Sequence, residues 1–410
     1  MSIKFITLNT ILKTRKIFAL VLMSLACNIV FGQIKLYNYK QQIDSVLVND
    51  TLPWKYQILA YNYSLIGEYK LMLETWDEPR KEVKAKPLKE DLVHKFLKYK
   101  SRHADKYIIE HAQKTSLLII NEAHQQPRHR VFVEGLLKDL YKEGYRYIGF
   151  ETLDKTDSLL NKRKYPIATT GYYSNEPSFG NLIRSALQIG FTIFPYEAND
   201  SLNNKSREID EAKNIKSFMD RFGNKGKYII YCGFDHVIED STHTDWQLAM
   251  AGRLKLLTGI DPLTVDQVQL TEKSNPDFDN PYRKLVNVDY PSIFIDSVGN
   301  VFNKAKPSQT LDLNIYHPDT KYKNGRPDWL IRGNYKPFNV ISKITIDFPC
   351  TVFAYIKAEK LEGVPEGVPV DIISLDKKDL DKCLILPDNN DGFVIVCKNQ
   401  KGQVQQIEIK

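Results

Sequence analysis

The sequence predicts an α/β protein: a mainly parallel sheet flanked by helices, entered through a helical lead-in and followed by a β-rich C-terminal appendage. Three observations predict it. Between residues 116 and 257, short apolar runs alternate with amphipathic stretches at about 30–45-residue intervals, the rhythm of βαβ units. Ahead of them, residues 35–115 carry apolar side chains three to four apart, the helical period. Beyond Asp279, Pro, Asn, Asp and Gly become dense and short alternating runs take over, as in antiparallel strands.

Taken in order, Tyr56–Trp76 and Glu90–Gln113 read as helices. Ser116–Ile120 is a short apolar run of the buried-strand kind. His129–Lys142 has Val133, Leu136, Leu137 and Leu140 at helical spacing, closed by Gly144. Tyr147–Phe150 is a second strand. Phe179–Gln188 is a helix, and Phe191–Tyr196 a third strand after Gly190. Lys205–Phe222 sets Ile209, Ala212, Ile215, Met219 and Phe222 on one helical face and stops at Gly223. Lys227–Tyr231 is a fourth strand and Trp246–Leu257 a further helix. Ser292–Asp296, Leu311–Tyr316, Val340–Ile346, Thr351–Ile356, Val368–Ser374, Phe393–Lys398 and Gln403–Ile409 read as strands of the appendage.

The chain of 410 residues is 42% hydrophobic and 26% charged, which excludes wholesale disorder and a disulfide-dense miniprotein. Of the formal +7 charge, Lys4, Lys13, Arg15 and Lys16 supply four within residues 1–33, and the other 377 residues carry +3. With no basic cluster interleaved with aromatics, nucleic acid is not an expected partner. Lys13–Lys16 precede an apolar run, Ile17–Phe31, too short for a membrane span of about 20 residues. With small or aliphatic residues before a cut at Gly32, residues 1–33 read as a secretory signal. The mature chain is therefore expected to be exported to a periplasm, outer surface or medium, without a transmembrane segment. Lipid anchoring at Cys27 is the alternative, although Leu25 stands one place too close to it for the usual box. Cys232, Cys350, Cys383 and Cys397 remain. One disulfide among the last three and free buried thiols are both open, and the absence of Cys-x-x-Cys disfavours a thiolate zinc site.

Ionisable residues follow each of the four strands. Asn121-Glu122-Ala123-His124 and then Arg128-His129-Arg130 follow the first, Glu151 the second, Glu197 the third, and Cys232-Gly233-Phe234-Asp235-His236 the fourth. Ligands of parallel α/β sheets bind outside the carboxyl ends of the strands. Glu122, His124, Glu151 and His236 are therefore the candidate catalytic residues, with Arg128, His129, Glu197, Arg207 and Asp235 as candidate substrate contacts. Cys232 reads as buried strand end rather than nucleophile. Two chemistries suit the set. A carboxylate beside an imidazole orients it as a general base. Alternatively His124, His236 and Glu151 hold Mn²⁺, Zn²⁺ or Fe²⁺ with a position open for water. Backbone amides of the Gly233 turn are a candidate oxyanion donor. His-Glu-x-x-His, Gly-x-Ser-x-Gly, Walker-type and Gly-x-Gly-x-x-Gly motifs are absent.

Leu118-Ile-Ile-Asn-Glu-Ala-His-Gln-Gln-Pro-Arg-His129-Arg resembles the opening motif of the ChaN-like haem-binding proteins, and Tyr231-Cys-Gly-Phe-Asp-His236 resembles a second Gly-x-x-His motif of their superfamily. Phe150-Glu151 and Tyr196-Glu197 match its acidic strand ends, and Arg207-Glu208…Glu211-Ala212…Asn214-Ile215 is similar to its following helix. The superfamily joins erythromycin esterases, ChaN-like proteins, TraB proteins and Tiki proteases, and the resemblance covers about residues 110–270. It implies an α/β core with both His motifs at one cleft. From the esterases it implies water activation by Glu122 and His124, supported by Glu151 and His236. From the Tiki peptidases it implies metal ligation by His124 and His236, and from the ChaN-like members haem binding. Asn121 stands where the motif has Gly, and Glu122 and His124 are one residue closer than in the esterases.

Three readings follow: an exported hydrolase acting on an ester or amide of a small molecule or peptide, a haem or iron-compound binder of the cell envelope, and a surface protein whose β-rich tail binds a partner or glycan. The expected organisation is a signal over 1–33, an α/β core with N-terminal helices over 34–282, and a β-rich region over 283–410.

Overall fold

The computed structural model describes residues 36–410 apart from 53, 81–84, 200–203, 241–244, 306–308 and 362–363. The expected signal segment and Cys27 lie outside the described residues. The architecture is an α/β body with a parallel sheet flanked by helices, a helical lead-in, and antiparallel sheets toward the C-terminus.

The lead-in comprises α1 (Lys40–Asn49), α2 (Lys55–Leu65), α3 (Tyr69–Asp77), α4 (Glu90–Phe96), strand β1 (Lys100–His103) and α5 (Ala104–Ala112). The long period expected over Tyr56–Trp76 breaks at Gly67, which takes φ +73° and lies so close to the Ile372 carbonyl that a Cβ would sit 2.3 Å from its oxygen. The Glu90–Gln113 helix is likewise interrupted, because β1 pairs antiparallel with β7 (Ser292–Ile295). A mostly exposed Lys-Ser-Arg-His strand has no apolar alternation to betray it.

The body continues with β2 (Leu117–Glu122), α6 (Pro127–Lys142), β3 (Tyr145–Phe150), the single turn α7 (Leu160–Arg163), α8 (Pro177–Ile189), β4 (Thr192–Pro195), α9 (Asn204–Phe222), β5 (Lys227–Gly233), α10 (Met250–Thr258) and β6 (Leu263–Asp266). With β8 (Leu313–Asn314) these strands form a six-stranded parallel sheet in the order β4-β3-β5-β2-β6-β8. Strand β6 had no counterpart in the sequence reading, and Trp246–Ala249, expected to be helical, precede α10. One sheet face (Leu118, Ile120, Ile148, Phe150, Ile229, Tyr231) packs on apolar residues of α5, α6 and α8. The other (Leu117, Ile119, Tyr147, Tyr228, Ile230, Cys232) packs on α9 and α10. Coverage on both faces explains why the strands read as continuous apolar runs.

Within the expected C-terminal region, β7 pairs with the lead-in and β8 extends the parallel sheet. Next come the hairpin β9 (Tyr322–Lys323) and β10 (Arg326–Pro327), β11 (Lys336–Phe338), β12 (Cys350–Ile356), the short pair β13 (Lys360–Leu361) and β14 (Val364–Pro365), β15 (Asp371–Leu375), β16 (Leu384–Leu386), β17 (Phe393–Lys398) and β18 (Val404–Ile409). Strands β15-β12-β17-β18 form an antiparallel sheet, and β11 pairs with β16. The expected strand over Val340–Ile346 contains only a 3₁₀ turn, Ile341–Lys343. One face of the sheet (Phe353, Tyr355, Ile372, Val394, Val396) packs on α1, α2 and α3. The other packs with Leu384 and Leu386 of β16. Cys232, Cys350, Cys383 and Cys397 are free thiols, so the described residues hold no disulfide. Among the described residues no helix is long and apolar enough to cross a membrane.

Candidate active site at the carboxyl ends of the parallel strands

Register brings the motifs together. Glu122, the last residue of β2, pairs with Gly233 of β5, and Phe150 of β3 pairs with Tyr231. His124, Glu151, Thr152, Tyr173, Arg207, Phe234, Asp235, His236 and Trp246 line a cleft of about 460 Å³ at these ends.

Glu122 lies behind the cleft wall, buried. Arg130, from the first turn of α6, donates Nε to Oε2 at 2.7 Å and Nη2 to Oε1 at 2.8 Å. The Tyr231 hydroxyl donates to Oε2 at 2.8 Å. Burial opposes ionisation of Glu122, but the Arg130 guanidinium outweighs it and the carboxyl falls to about 2. Arg130 also donates to Glu176 at 2.9 Å and to the His124 carbonyl at 2.6 Å, and lies over the Phe179 ring. Glu176 in turn caps α8 by accepting from the Phe179 amide at 3.0 Å.

The His124 ring is held on three sides. Nδ1 lies 3.0 Å from Glu122 Oε1, and an ionised acceptor requires the proton on Nδ1, which leaves the Nε2 lone pair free. Tyr173 stacks on the ring at 4.0 Å, and Phe234 meets it edge-on at 5.1 Å. A Cβ on Gly233 would lie 2.3 Å from His124 Cε1 and 2.4 Å from Nε2. Gly233 has extended backbone, φ −85°, so close approach rather than conformation demands glycine there.

Opposite stands a second cluster. Glu151 accepts from Arg207 Nη2 at 2.5 Å and from the Gly233 amide. That amide is thereby occupied, which removes it as the expected oxyanion donor. Burial opposes ionisation of Glu151; His236, Arg207 and the Gly233 amide overcome it and bring the carboxyl to about 2. His236 is stacked on Trp246 at 4.9 Å, with Nδ1 2.8 Å from Glu208 Oε1 and 3.7 Å from Glu211 Oε2. Burial lowers the affinity of the His236 ring for a proton, but Glu151, Glu208 and Glu211 raise it to about 9. Arg207 Nη1 nevertheless stands 3.0 Å from His236 Nε2, a contact that only a neutral ring accepts. Three carboxylates and a guanidinium thus compete for the state of this ring. Arg207 also binds Glu197 through Nε at 3.0 Å and Nη2 at 3.1 Å.

Glu208 and Glu211, three apart on α9, share one face. Burial, only partly offset by His236, pushes the Glu211 carboxyl up to about 9. Arg207 Nε reaches 3.0 Å from its Oε1, yet neither Glu211 oxygen has an aligned hydrogen-bond donor among the described residues. Ligand atoms of Glu208, Glu211 and His236, and of Glu151, Glu197 and Glu211, lie within 4.8 Å of one another. These donors suit a divalent cation. The expected set of His124, His236 and Glu151 is not one of these groups, since His124 does not join either of them within that distance.

Two expected substrate contacts are not at the cleft. Arg128 bonds the Pro318 carbonyl and Thr320 Oγ1 and lines a separate depression beside His317 and Trp329. His129 is fully buried, and its Nδ1 accepts from the Ala123 amide at 3.0 Å. Burial lowers its ring to about 3. The His124…His129 spacing therefore does not put two imidazoles in one pocket. Asp235 and Arg207 line the cleft, while Glu197 reaches it through Arg207. Sequence reasoning missed Arg130 as the partner of Glu122, and Tyr173, Trp246, Glu208 and Glu211 as site residues. The Glu208…Glu211 spacing on a helix that already carried Arg207 was the one available signal.

Thr152 and Phe234, each just after a cleft carboxylate or glycine, have φ +63° and +40°. Such backbone in a β-branched or bulky residue costs on the order of 1 kcal/mol, and is held here by the surrounding packing.

No family model matches the chain, and no curated protein matches it. Among solved structures, the type III effector HopBA1 aligns at a TM-score of 0.34 with 10% identity, over 54% of this chain and 97% of that one. RRSP, a MARTX toxin effector domain from Vibrio vulnificus CMCP6, aligns at 0.29 with 15% identity, over 68% of this chain and 47% of that one.

Proposed function

We propose that the protein is an exported hydrolase that cleaves an ester or amide bond with a Glu122–His124 centre, as its resemblance to the erythromycin esterase, ChaN, TraB and Tiki superfamily implies. The observation that carries the reading is the buried, ionised Glu122 holding His124 Nδ1 at 3.0 Å while the ring lines the cleft. His124 Nε2 takes a proton from water, whose oxygen attacks the substrate carbonyl. The tetrahedral oxyanion is stabilised by the Arg207 guanidinium, and the proton passes from Nε2 to the leaving oxygen or nitrogen. Glu208, Glu211 and His236 are the residues that would hold Mn²⁺, Zn²⁺ or Fe²⁺. A cation there supplies Lewis acidity to the same chemistry. Export rests on the basic and apolar segment of residues 13–31.

The test is hydrolysis of a panel of p-nitrophenyl esters and fluorogenic peptides. Replacing His124 with alanine lowers turnover about 10²–10⁴-fold, the usual weight of a general base, with circular dichroism unchanged. Turnover that survives in His124→Ala removes the reading.

A further inference from the structure

A second cleft, of about 710 Å³, lies where the N-terminal helices leave the C-terminal sheet, and shares no lining residue with the first. Its volume falls within the roughly 300–1,000 Å³ of small-molecule sites. It opens because one sheet face changes character. Phe353 of β12 pairs with Ile372 of β15, and both are covered by α1–α3. Two residues along the same face, Thr351 pairs with Ser374, and these hydroxyl residues line the cleft.

Ser374 is 7% exposed and its Oγ has no hydrogen-bond partner among the described residues. A buried hydroxyl left unpaired is unfavourable, so a packed face would carry an apolar residue here. Beside it, Lys382 Nζ donates to Glu68 Oε1 at 2.7 Å and to the Ser374 carbonyl at 2.9 Å. The third ammonium proton remains for a ligand. Tyr39 and Tyr322 supply rings to the walls. Tyr322 sits on a tight hairpin whose tip, Asn324-Gly325, takes φ +52° and +71°, the backbone that favours this residue pair.

We infer that this cleft binds a neutral saccharide, with Lys382, and Ser374 once its side chain turns into the cleft, on the ligand hydroxyls and Tyr39 and Tyr322 against its C–H faces. The class follows from the chemistry. Four lysines and five carboxylates line the cleft, a near balance that favours neither a strong anion nor a strong cation. Donors and acceptors are interleaved, which suits a group that both donates and accepts. Phenol rings suit the apolar faces of sugar rings. The inference is independent of the hydrolase reading.

The test is isothermal titration of the full mature chain with maltotriose, cellotriose and tri-N-acetylchitotriose, and with glucuronate and inorganic phosphate as charged controls. At least one neutral oligosaccharide binds at millimolar concentration or below. Ser374→Ala weakens it roughly five- to tenfold, the weight of one hydrogen bond. The same variant leaves the free protein's Tm unchanged or raised, because an unpaired hydroxyl has been removed. Tyr322→Ala, at an exposed hairpin, also weakens binding and leaves the fold intact. The inference is overturned if no neutral oligosaccharide binds, if only the charged controls bind, or if binding survives both substitutions.

Discussion

The two sides of the candidate cleft are built from the same residue types and balance their charges differently. At the end of β2, two buried carboxylates, Glu122 and Glu176, share one guanidinium, Arg130, and every bond of that guanidinium is short and aligned. Across the cleft, Glu151, Glu197, Glu208 and Glu211 surround Arg207 and His236. There Glu211 has no aligned donor among the described residues, and His236 is pulled between a proton and an arginine. The difference teaches how burial divides labour. Glu122, bonded twice by Arg130, stays ionised and orients His124, while Glu211, crowded by other carboxylates, takes up a proton and stands in a group that could hold a metal ion.

The largest effect that can break this contrast is at Arg130. Arg130→Met strands two buried carboxylates and costs about 3–5 kcal/mol of stability, read as the shift in urea midpoint. A loss below about 1 kcal/mol would mean that the β2 side is not held by its charges. The next test applies one chemical change to both sides. Glu122 is ionised at pH 7, with its carboxyl near 2, whereas Glu211, near 9, carries its proton. Glu122→Gln therefore costs about 3 kcal/mol. Glu211→Gln changes metal-free stability by less than about 1 kcal/mol, while Mn²⁺ or Zn²⁺ binding by titration falls at least tenfold. Equal costs for the two substitutions, or undiminished metal binding in Glu211→Gln, would erase the distinction.

The smallest effect marks where the β2 side ends. His129 is buried and neutral, its ring near 3 against about 6.5 in the unfolded chain. The unfolded state therefore gains a proton first, and stability is lost as pH falls from 6.5 toward 3. His129→Asn removes that dependence. The stability gap between wild type and variant closes by about 1.4 kcal/mol per pH unit below 6.5, measured by denaturant unfolding at pH 7, 6 and 5. A gap constant over that range would place His129 in solvent.

Much of this arrangement was legible in the sequence, and particular residues show why the rest was not. The strand ends were readable because a parallel sheet must follow buried apolar runs with polar loops, so Glu122, His124, Glu151 and His236 announced themselves. Arg128, His129 and Arg130 were adjacent in sequence and were placed together on the rim. They stand instead in the first turn of α6, where residues two apart point about 200° away from one another. Arg130 turns to Glu122, while Arg128 turns toward Thr320. Sequence adjacency says nothing of such a division until the helix start is known to the residue. Strand β1 stayed hidden because its pairing partner lies almost 200 residues later and its own side chains are mostly exposed. The expected appendage also lost β8 to the parallel sheet, since a two-residue strand carries no period.

The seam between first helices and last strands has a consequence in time. Tyr39, just ahead of α1, donates its hydroxyl to the carbonyl of Asn399, 360 residues on, and Tyr37 and Ile43 share a core with Val394 and Val396. At about 5–20 residues per second, that stretch takes roughly 20–70 s to synthesise. For most of it, the faces of α1 to α3 that pack on the C-terminal sheet lack that cover. Helices that emerge first are thus among the last to complete their core, through contacts of very high sequence separation.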